Sequence, residues 1–162
     1  MEENYKDEMI VIDNVNRYNE IFGLETKHPL VSIIDLTKST TWPTRAWFRY
    51  EVYALFLKNV KCGDIKYGRQ YYDYQDGTIV CFGPGQITDL ELIQNIQPNA
   101  HGLLFHPDLI RGTSLGQEIK NYSFFSYETN EALHLSEEER QIVMDCLQKI
   151  AIELNHAIDR HS

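Results

Sequence analysis

The sequence contains little cysteine and no long apolar segment. Its three cysteines, Cys62, Cys81 and Cys146, are an odd number without any Cys-x-x-Cys spacing, so neither a disulfide framework nor a cysteine zinc site is indicated. The acidic N-terminus lacks the apolar stretch of a signal peptide, and no apolar run approaches the length of a membrane span. These absences predict a soluble cytoplasmic protein without a membrane partner.

Positive charge is also scarce. Lys and Arg together number 15 against 24 Asp and Glu, which gives a formal net charge of −9. The basic residues are scattered singly along the chain, so no basic patch offsets the repulsion between an acidic surface and phosphate backbones. We therefore do not expect this chain to bind nucleic acid directly.

Signals for catalysis and metal binding are missing as well. His101 and His106 are five residues apart on an expected strand, which puts them on opposite faces. His156 and His161 are also five residues apart, and on an expected helix this spacing points their side chains to different sides. The chain has no Gly-x-Ser-x-Gly motif, and the Gly-Pro-Gly run at 83–85 is too short for a phosphate loop. The sequence predicts no catalytic residue, no metal site and no cofactor.

The residues that are present predict a globular domain whose strands precede its helices. Apolar residues make up 43% of the chain and charged residues 24%, an ordinary globular balance. Apolar runs predict strands at 28–36, 50–59, 63–74, 78–84 and 101–107. The Asp76–Gly77 pair predicts a hairpin between the third and fourth of these strands. Residues 37–46 are expected to form a polar loop, and 87–98 fit either a strand or a loop.

Two capping boxes mark helices in the last third of the chain. Ser114-x-x-Gln117 is expected to open a short helix, and Ser136-x-x-Glu139 a long one. The long helix carries an apolar stripe that includes Val143, Leu147, Ile150 and Leu154. Strands followed by helices predict a mainly β fold, a barrel or sandwich with helices attached at one end.

Aromatic residues are dense on the expected strands and provide the candidate ligand site. Tyrosine combines an apolar ring with a hydroxyl that needs a partner when buried, and small-molecule pockets have apolar walls with a few polar groups. A filled core is the alternative use of the same residues. The predicted ligand-binding residues are Trp47, Tyr53, Tyr72, Tyr74, Phe82 and His106.

Two stretches resemble a known family. The segment YYDYQDGTIVCFGPGQ, residues 71–86, resembles the hairpin of the cupin sensor domains in AraC-type bacterial transcription regulators. It keeps the turn glycine as Gly77 and has Thr78 where the family has Asp. Residues 102–143, with HPDLIRGT after the last main strand and LSEEER opening the long helix, resemble the second half of that sensor region more specifically. The resemblance extends over roughly 28–158.

This resemblance implies a fold and a domain organisation. It implies a cupin-like, jelly-roll type β-barrel over 28–112, preceded by a loosely held lead-in over 1–27. A helical dimerisation and linker segment over 113–162 would follow, with a short helix and then the long amphipathic one. Metal-dependent cupins need histidines and a glutamate that the matching positions here do not supply.

The resemblance also implies partners. Such domains bind a small-molecule effector or form homodimers, and the DNA-binding region of these regulators is absent from this chain. The stripe of Val143, Leu147, Ile150 and Leu154 would then face a second copy, or else pack on its own barrel. We expect a non-catalytic, effector-binding dimerisation domain. The alternatives are a small metal-independent cupin enzyme, isomerase-like, with Tyr72, Asp73 or His106 as its titratable group, and a ligand-free structural dimerisation module.

Overall fold

The computed structural model describes residues 9–58, 65–67, 70–72, 77–122, 125 and 133–161, with backbone alone at 65–67, 70–72 and 157–161. Ten strands and three α-helices follow one another along these residues. They are β1 (Met9–Ile12), α1 (Val15–Phe22), β2 (Val31–Asp35), β3 (Arg45–Tyr50), β4 (Tyr53–Lys58), β5 (Ile65–Tyr67), β6 (Gln70–Tyr72), β7 (Thr78–Phe82), β8 (Ile87–Glu91), β9 (Ala100–Phe105), α2 (Ser114–Glu118), β10 (Leu133–His134) and α3 (Glu137–His161). Short 3₁₀ turns lie at Leu36–Lys38, Pro107–Leu109 and Ile119–Asn121.

The strands form two five-stranded sheets. Sheet A has the order β1-β3-β8-β5-β6 and sheet B the order β10-β7-β4-β9-β2. The β1 and β3 strands run parallel, and the other pairs are antiparallel. The predicted class, mainly β with a C-terminal helix, is confirmed, and the arrangement is consistent with a β-sandwich. Within the described residues no strand pairing closes the sheets into the expected barrel.

The main hydrophobic core lies between the sheets and is rich in aromatic rings. Alternation along β3 directs Phe48 and Tyr50 into this core while Arg49 is exposed, as a strand with one buried face requires. Tyr50 stacks on Phe82 of β7 with ring centroids 4.8 Å apart, and Phe56 of β4 lies beside Phe82. Aromatic contacts such as the Tyr50–Phe82 stack therefore contribute to the packing of sheet A on sheet B.

Helix α1 completes this core, so the expected loose lead-in over 1–27 is wrong for the part that the structure describes. The Asn14 side chain caps the helix by accepting from the Arg17 backbone N–H at 2.8 Å. Gly23 ends it in the left-handed conformation, φ 66°. Between these caps the side chains of Tyr18 and Phe22 are buried against the sheets. Residues 9–24 belong to the packed domain.

Helix α3 covers the outer face of sheet B. Its predicted capping box is confirmed: the Glu139 N–H donates to Ser136 Oγ at 3.1 Å, and the Ser136 N–H donates to Glu139 Oε1 at 2.9 Å. The helix lies along β2 and β9, and Leu147 at its middle is buried. The domain thus has three layers: sheet A, sheet B and α3.

The predicted hairpin between 63–74 and 78–84 is wrong. Strand β7 pairs with β4 on one side and β10 on the other, whereas β6 pairs with β5 in the opposite sheet. Gly77, at φ 78°, donates its N–H to the Lys58 carbonyl at 3.0 Å and so brings the chain into register with β4. A local turn signal could not identify this partner because sheet pairing is set by burial across the whole domain. Asp76 itself lies outside the described residues.

Two further predicted boundaries differ from the structure. Strand β3 begins at Arg45, inside the expected 37–46 loop, and ends at Tyr50. The expected 50–59 strand therefore begins only at Tyr53, because the chain turns from sheet A to sheet B around Val52. Helix α2 is capped by Thr113, whose Oγ1 accepts from the Gly116 N–H at 3.0 Å, so the predicted Ser114 cap was one residue late. The undecided segment 87–98 contains strand β8.

Candidate ligand-binding site

The space between the sheets is nearly filled. A cavity of about 20 Å³ remains beside Phe82, lined also by Tyr18 and Phe22 of α1 and by the buried Lys58. This volume is enough for a single water molecule and far below the several hundred Å³ that organic ligands occupy. Aromatic rings from α1 take up the room that a ligand would need, so Phe82 is a core residue here.

Two other predicted ligand-binding residues, Tyr53 and His106, lie away from this space. Tyr53 projects from the opposite face of sheet B, where it stacks on Phe105 at 5.1 Å and meets Phe125 edge-on at 5.3 Å. Burial raises the pKa of the Tyr53 hydroxyl. His106 caps the following 3₁₀ turn, with Nδ1 accepting from the Asp108 N–H at 3.0 Å. The contacts of both residues stabilise the chain's own fold.

Trp47 lies on the outer face of sheet A, opposite Asp89 in the β3–β8 register. Its Nε1 is buried, and the described residues provide no hydrogen-bond partner for it. Tyr72 belongs to β6, of which only the backbone is described, and Tyr74 lies outside the described residues. The four predicted residues whose side chains the structure describes therefore do not form one site: Trp47, Tyr53 and Phe82 lie on three different faces of the two sheets, and His106 lies in the turn after β9.

A much larger cavity lies elsewhere, between α3 and the edge of sheet B. We name this cavity of about 640 Å³ the α3 groove. Helix α3 forms one wall, strands β2 and β9 contribute the floor, and the segment after α1 together with Lys38 forms the opposite rim. Its lining residues are Leu24, Glu25, Lys27, Ser32, Ile33, Asp35, Lys38, His101, Arg140, Gln141, Met144, Asp145, Leu147, Gln148, Ala151, Leu154 and Asn155.

A contact between a histidine and a carboxylate lies on the floor of the α3 groove. His101 Nε2 is 3.5 Å from Asp35 Oδ1, and both side chains are about a quarter exposed. Asp35 Oδ1 also accepts from the Thr37 N–H at 3.0 Å and the Thr37 hydroxyl at 2.5 Å. Asp35 is the last residue of β2 and the N-cap of the Leu36–Lys38 turn that follows. Its hydrogen bonds with Thr37 hold the carboxylate in one orientation.

The wall formed by α3 combines apolar and polar side chains. Leu147 is buried, and Met144 and Leu154 are half-buried against sheet B. Arg140, about a quarter exposed, donates from Nη1 to Glu137 Oε1 at 3.1 Å. This mixture of an apolar surface with a few polar groups is typical of ligand sites, and the volume falls within their usual range of roughly 300–1,000 Å³.

The predicted dimer stripe is largely engaged within the chain. Val143 packs with Leu57, Ile79 and Cys81 of sheet B, and Leu154 packs with the cluster around Tyr53. Leu147 is buried as well, whereas Ile150 is half-buried and belongs to none of the apolar clusters of the described residues. Packing on the chain's own sheet was one of the two expected uses of this stripe. Its contact with a second copy stays a prediction.

Within the described part of the chain, no group of three or more His, Cys, Asp and Glu side chains is arranged to hold a metal ion. No helix in that part combines the length and apolar character needed to cross a membrane. Comparison with protein-family models and with curated protein sequences gives no significant match.

Sequence reasoning missed the α3 groove altogether. Its lining comes from four separate stretches of the chain, and none of them carries a recognisable motif. The one local signal was Asp35-x-Thr37, a side-chain cap typical of a turn. Bringing this turn next to α3 required the pairing of β2 with β9 and the docking of the helix, both of which are long-range events.

Proposed function

We propose that this chain is the non-catalytic effector-sensing and dimerisation domain of an AraC-type transcription regulator, with a cupin-like fold and its effector site in the α3 groove. One observation carries the proposal. Helix α3, which the family resemblance identifies as the linker and dimerisation helix, forms a wall of a cavity of ligand size. A bound molecule would touch the helix that transmits the signal.

The site suggests how binding would be transmitted. A ligand in the α3 groove would contact α3 and the floor of sheet B at once, and so would bind better when the helix is docked as it is here. It could shift the helix equilibrium only by its difference in affinity between the two placements. A coupling of roughly 1–3 kcal/mol is usual for allosteric proteins, which is within the reach of a few contacts to one helix.

The net charge of the chain is consistent with a domain that senses an effector and leaves DNA binding to another domain. With a net charge of −9, the domain would be repelled by DNA, so DNA contacts would belong to the separate C-terminal domain of the full-length regulator. The acidic domain would influence DNA binding indirectly, through dimerisation and through the placement of α3.

A fusion experiment tests the dimerisation part of this proposal. The 162-residue chain is fused to a DNA-binding domain that represses a reporter gene only as a dimer. We expect repression well above that of the DNA-binding domain alone, and above that of a fusion to an unrelated monomeric domain. Equal expression without repression would refute the proposed function.

A second candidate is a ligand-free structural dimerisation module, favoured by the filled space between the sheets. The cavity of about 20 Å³ beside Phe82 offers no room for an effector. The two candidates differ in the α3 groove: the structural module would repress the reporter equally well when the groove is blocked, and the purified chain would retain no organic molecule.

A further inference from the structure

We propose that the α3 groove binds an extended peptide segment, which adds as a further strand to the edge of sheet B; this inference rests on the proposed effector site. Strand β2 is the last strand of sheet B among the described residues and pairs there on one side only, with β9. Two of its residues, Ile33 and Asp35, line the groove. A sheet edge of this kind presents a row of backbone donors and acceptors with which another chain can pair.

The backbone groups of Ile33 and Asp35 point away from β9. The His106 N–H donates to the Leu30 carbonyl at 2.8 Å, in line with the register of the β2–β9 pair. Because bonded pairs alternate along an antiparallel ladder, the even-numbered residues of β2 bond to β9 and the odd-numbered ones turn their N–H and C=O groups outward. The described contacts give the N–H and C=O of Ile33 no other hydrogen bond. An added strand would therefore find an available donor and acceptor at the groove.

Charge gives the groove no preference for an anion or a cation. Its charged lining residues are three carboxylates and three permanent cations: Glu25, Asp35, Asp145, Lys27, Lys38 and Arg140. An ionic group on a ligand would therefore meet attraction and repulsion from the same lining. Main-chain hydrogen bonds require no charge on the ligand, so an uncharged peptide fits this balanced surface.

The wall beside this edge provides an apolar surface for alternate side chains of the peptide. Ile33 on the floor and Met144, Leu147 and Ala151 on α3 line the groove, each buried or half-buried. Every second side chain of an added strand points to the same face as Ile33. Apolar side chains at alternate positions would therefore be buried against α3, which is favourable in proportion to their area.

The length of the groove sets the length of the segment. The lining residues of α3 extend from Arg140 to Asn155, which is a rise of roughly 22 Å along the helix. An extended chain rises about 3.3 Å per residue. A segment of about seven residues, with apolar side chains at alternate positions, therefore matches the groove.

The probe is the uncharged peptide acetyl-Ser-Val-Ser-Val-Ser-Val-Ser-amide, compared with two isomers that carry three N-methyl groups each. One isomer is methylated on its valines and the other on its last three serines. N-methylation removes a backbone donor, and successive N–H groups point to opposite edges of a strand, so each isomer is blocked on one edge only. Each peptide is titrated into the 162-residue chain by isothermal titration calorimetry, below the concentration at which it self-associates.

We expect one isomer to bind within about twofold of the parent peptide and the other at least about tenfold more weakly, which is the effect of losing one hydrogen bond of usual strength. The valine isomer is the weaker one where the added strand is antiparallel to β2, because each valine that faces α3 then turns its N–H toward β2. Equal binding of the two isomers, or no binding of the parent peptide, would overturn the inference.

Substitutions at Ile33 locate the bound peptide. Ile33→Pro removes the outward N–H without removing a bond to β9, as proline in an edge strand allows, and should weaken the parent peptide at least about tenfold. Ile33→Ala is the matched control, because it loses the same side chain but keeps the N–H, and it should weaken binding about threefold at most. Equal losses from the two variants would assign the contact to the side chain and refute strand addition. The methylated isomers test the inference on the wild-type chain even where Ile33→Pro fails to fold.

The outcomes separate this inference from the proposed function. Repression by the reporter fusion without a difference between the isomers would leave the sensor domain in place and refute the peptide strand. The predicted difference between the isomers without any repression would show the site and refute the dimerising regulator domain. A peptide that binds but splits the dimer in native mass spectrometry would assign the edge to a second copy and refute a partner peptide.

Discussion

Lys27 Nζ donates a 2.8 Å hydrogen bond to Asn155 Oδ1 and so joins segments 128 residues apart. The bond closes one end of the α3 groove and ties the segment after α1 to the last turns of α3. Both side chains are exposed, so the bond contributes little to global stability. Its effect is local, on the part of the helix that the proposal assigns to signalling.

Asn155→Ala should loosen the C-terminal turns of α3. We expect the free energy of unfolding to fall by at most about 1 kcal/mol, with faster amide hydrogen exchange in residues 151–156 than in the wild type. Glu153→Gln, on the exposed side of the same turns, is the control and should leave exchange unchanged. Unaltered exchange in the Asn155 variant would show that the bond does not hold the helix.

The capping box of α3 predicts an acid-dependent loss of stability. Hydrogen bonds from the Ser136 backbone and side chain lower the pKa of Glu139 below its ordinary value of 4.5. A lowered pKa means that the carboxylate stabilises the fold above pH 4.5 and loses this effect as the pH falls through the folded-state pKa. The wild type should therefore exceed Glu139→Gln in urea stability at pH 7, and the difference should vanish in acid.

The neighbouring variant Glu138→Gln serves as the control for this titration. Glu138 shares the first turn of α3, but the described contacts give it no part in the capping box. Its removal should affect stability less than that of Glu139 at pH 7. Equal losses from the two variants would mean that the general helix dipole, and not the reciprocal cap, accounts for the effect.

Replacing Phe82 tests whether the space between the sheets is core. Phe82→Ala should lower the free energy of unfolding by about 3–5 kcal/mol, because it removes a ring stacked on Tyr50 and leaves a cavity. Ile142→Ala, at a side chain 57% exposed on α3, should stay within about 0.5 kcal/mol of the wild type. A Phe82→Ala variant of near wild-type stability would contradict the assignment of Phe82 to the core and would favour a ligand site between the sheets.

Thiol reactivity tests the covering of sheet B by α3. Burial raises the pKa of Cys81 to about 12 from 9.0, so on the order of a thousandfold less thiolate is available for reaction. Cys146 is exposed on α3. In a Cys62→Ala background at pH 8, we expect Cys146 to react rapidly with a thiol reagent and Cys81 to react only when the chain unfolds. Two fast thiols in the folded chain would contradict the three-layer arrangement.

Blocking the α3 groove tests its role as the effector site. Gln148 is exposed and lines the groove, whereas the adjacent Lys149 does not. Gln148→Trp should lose any organic molecule that co-purifies with the wild-type chain while thermal stability is kept, and Lys149→Trp should retain it. Equal retention by both variants would place the site elsewhere.

Features set by local sequence were predictable. The reciprocal cap of Ser136 and Glu139 lies within four residues, and the apolar run of β9 needed no distant partner to be recognised as a strand. Helix α1 was equally readable, since Asn14 and Gly23 are typical caps and Tyr18 and Phe22 are spaced for one face. Its acidic, polar surroundings instead led to the prediction of a loose lead-in.

Features set by distant contacts were not predictable from pattern alone. Gly77 signals a turn, but whether β7 would lie beside β4 or beside β6 depends on burial across both sheets. The same holds for the side that Tyr53 faces, because moving a strand by one residue reverses every side chain on it. The α3 groove depends on both sheet pairing and helix docking, which is why Asp35, His101 and Arg140 did not stand out as a group.

Native mass spectrometry of the purified chain tests the central claim most directly, because it reports subunit number and retained small molecules together. The account predicts a dimer that carries no metal and retains an organic molecule, which the Gln148→Trp variant loses and the Lys149→Trp variant keeps. A monomer carrying a stoichiometric transition metal, or a retained molecule that survives Gln148→Trp, would contradict it.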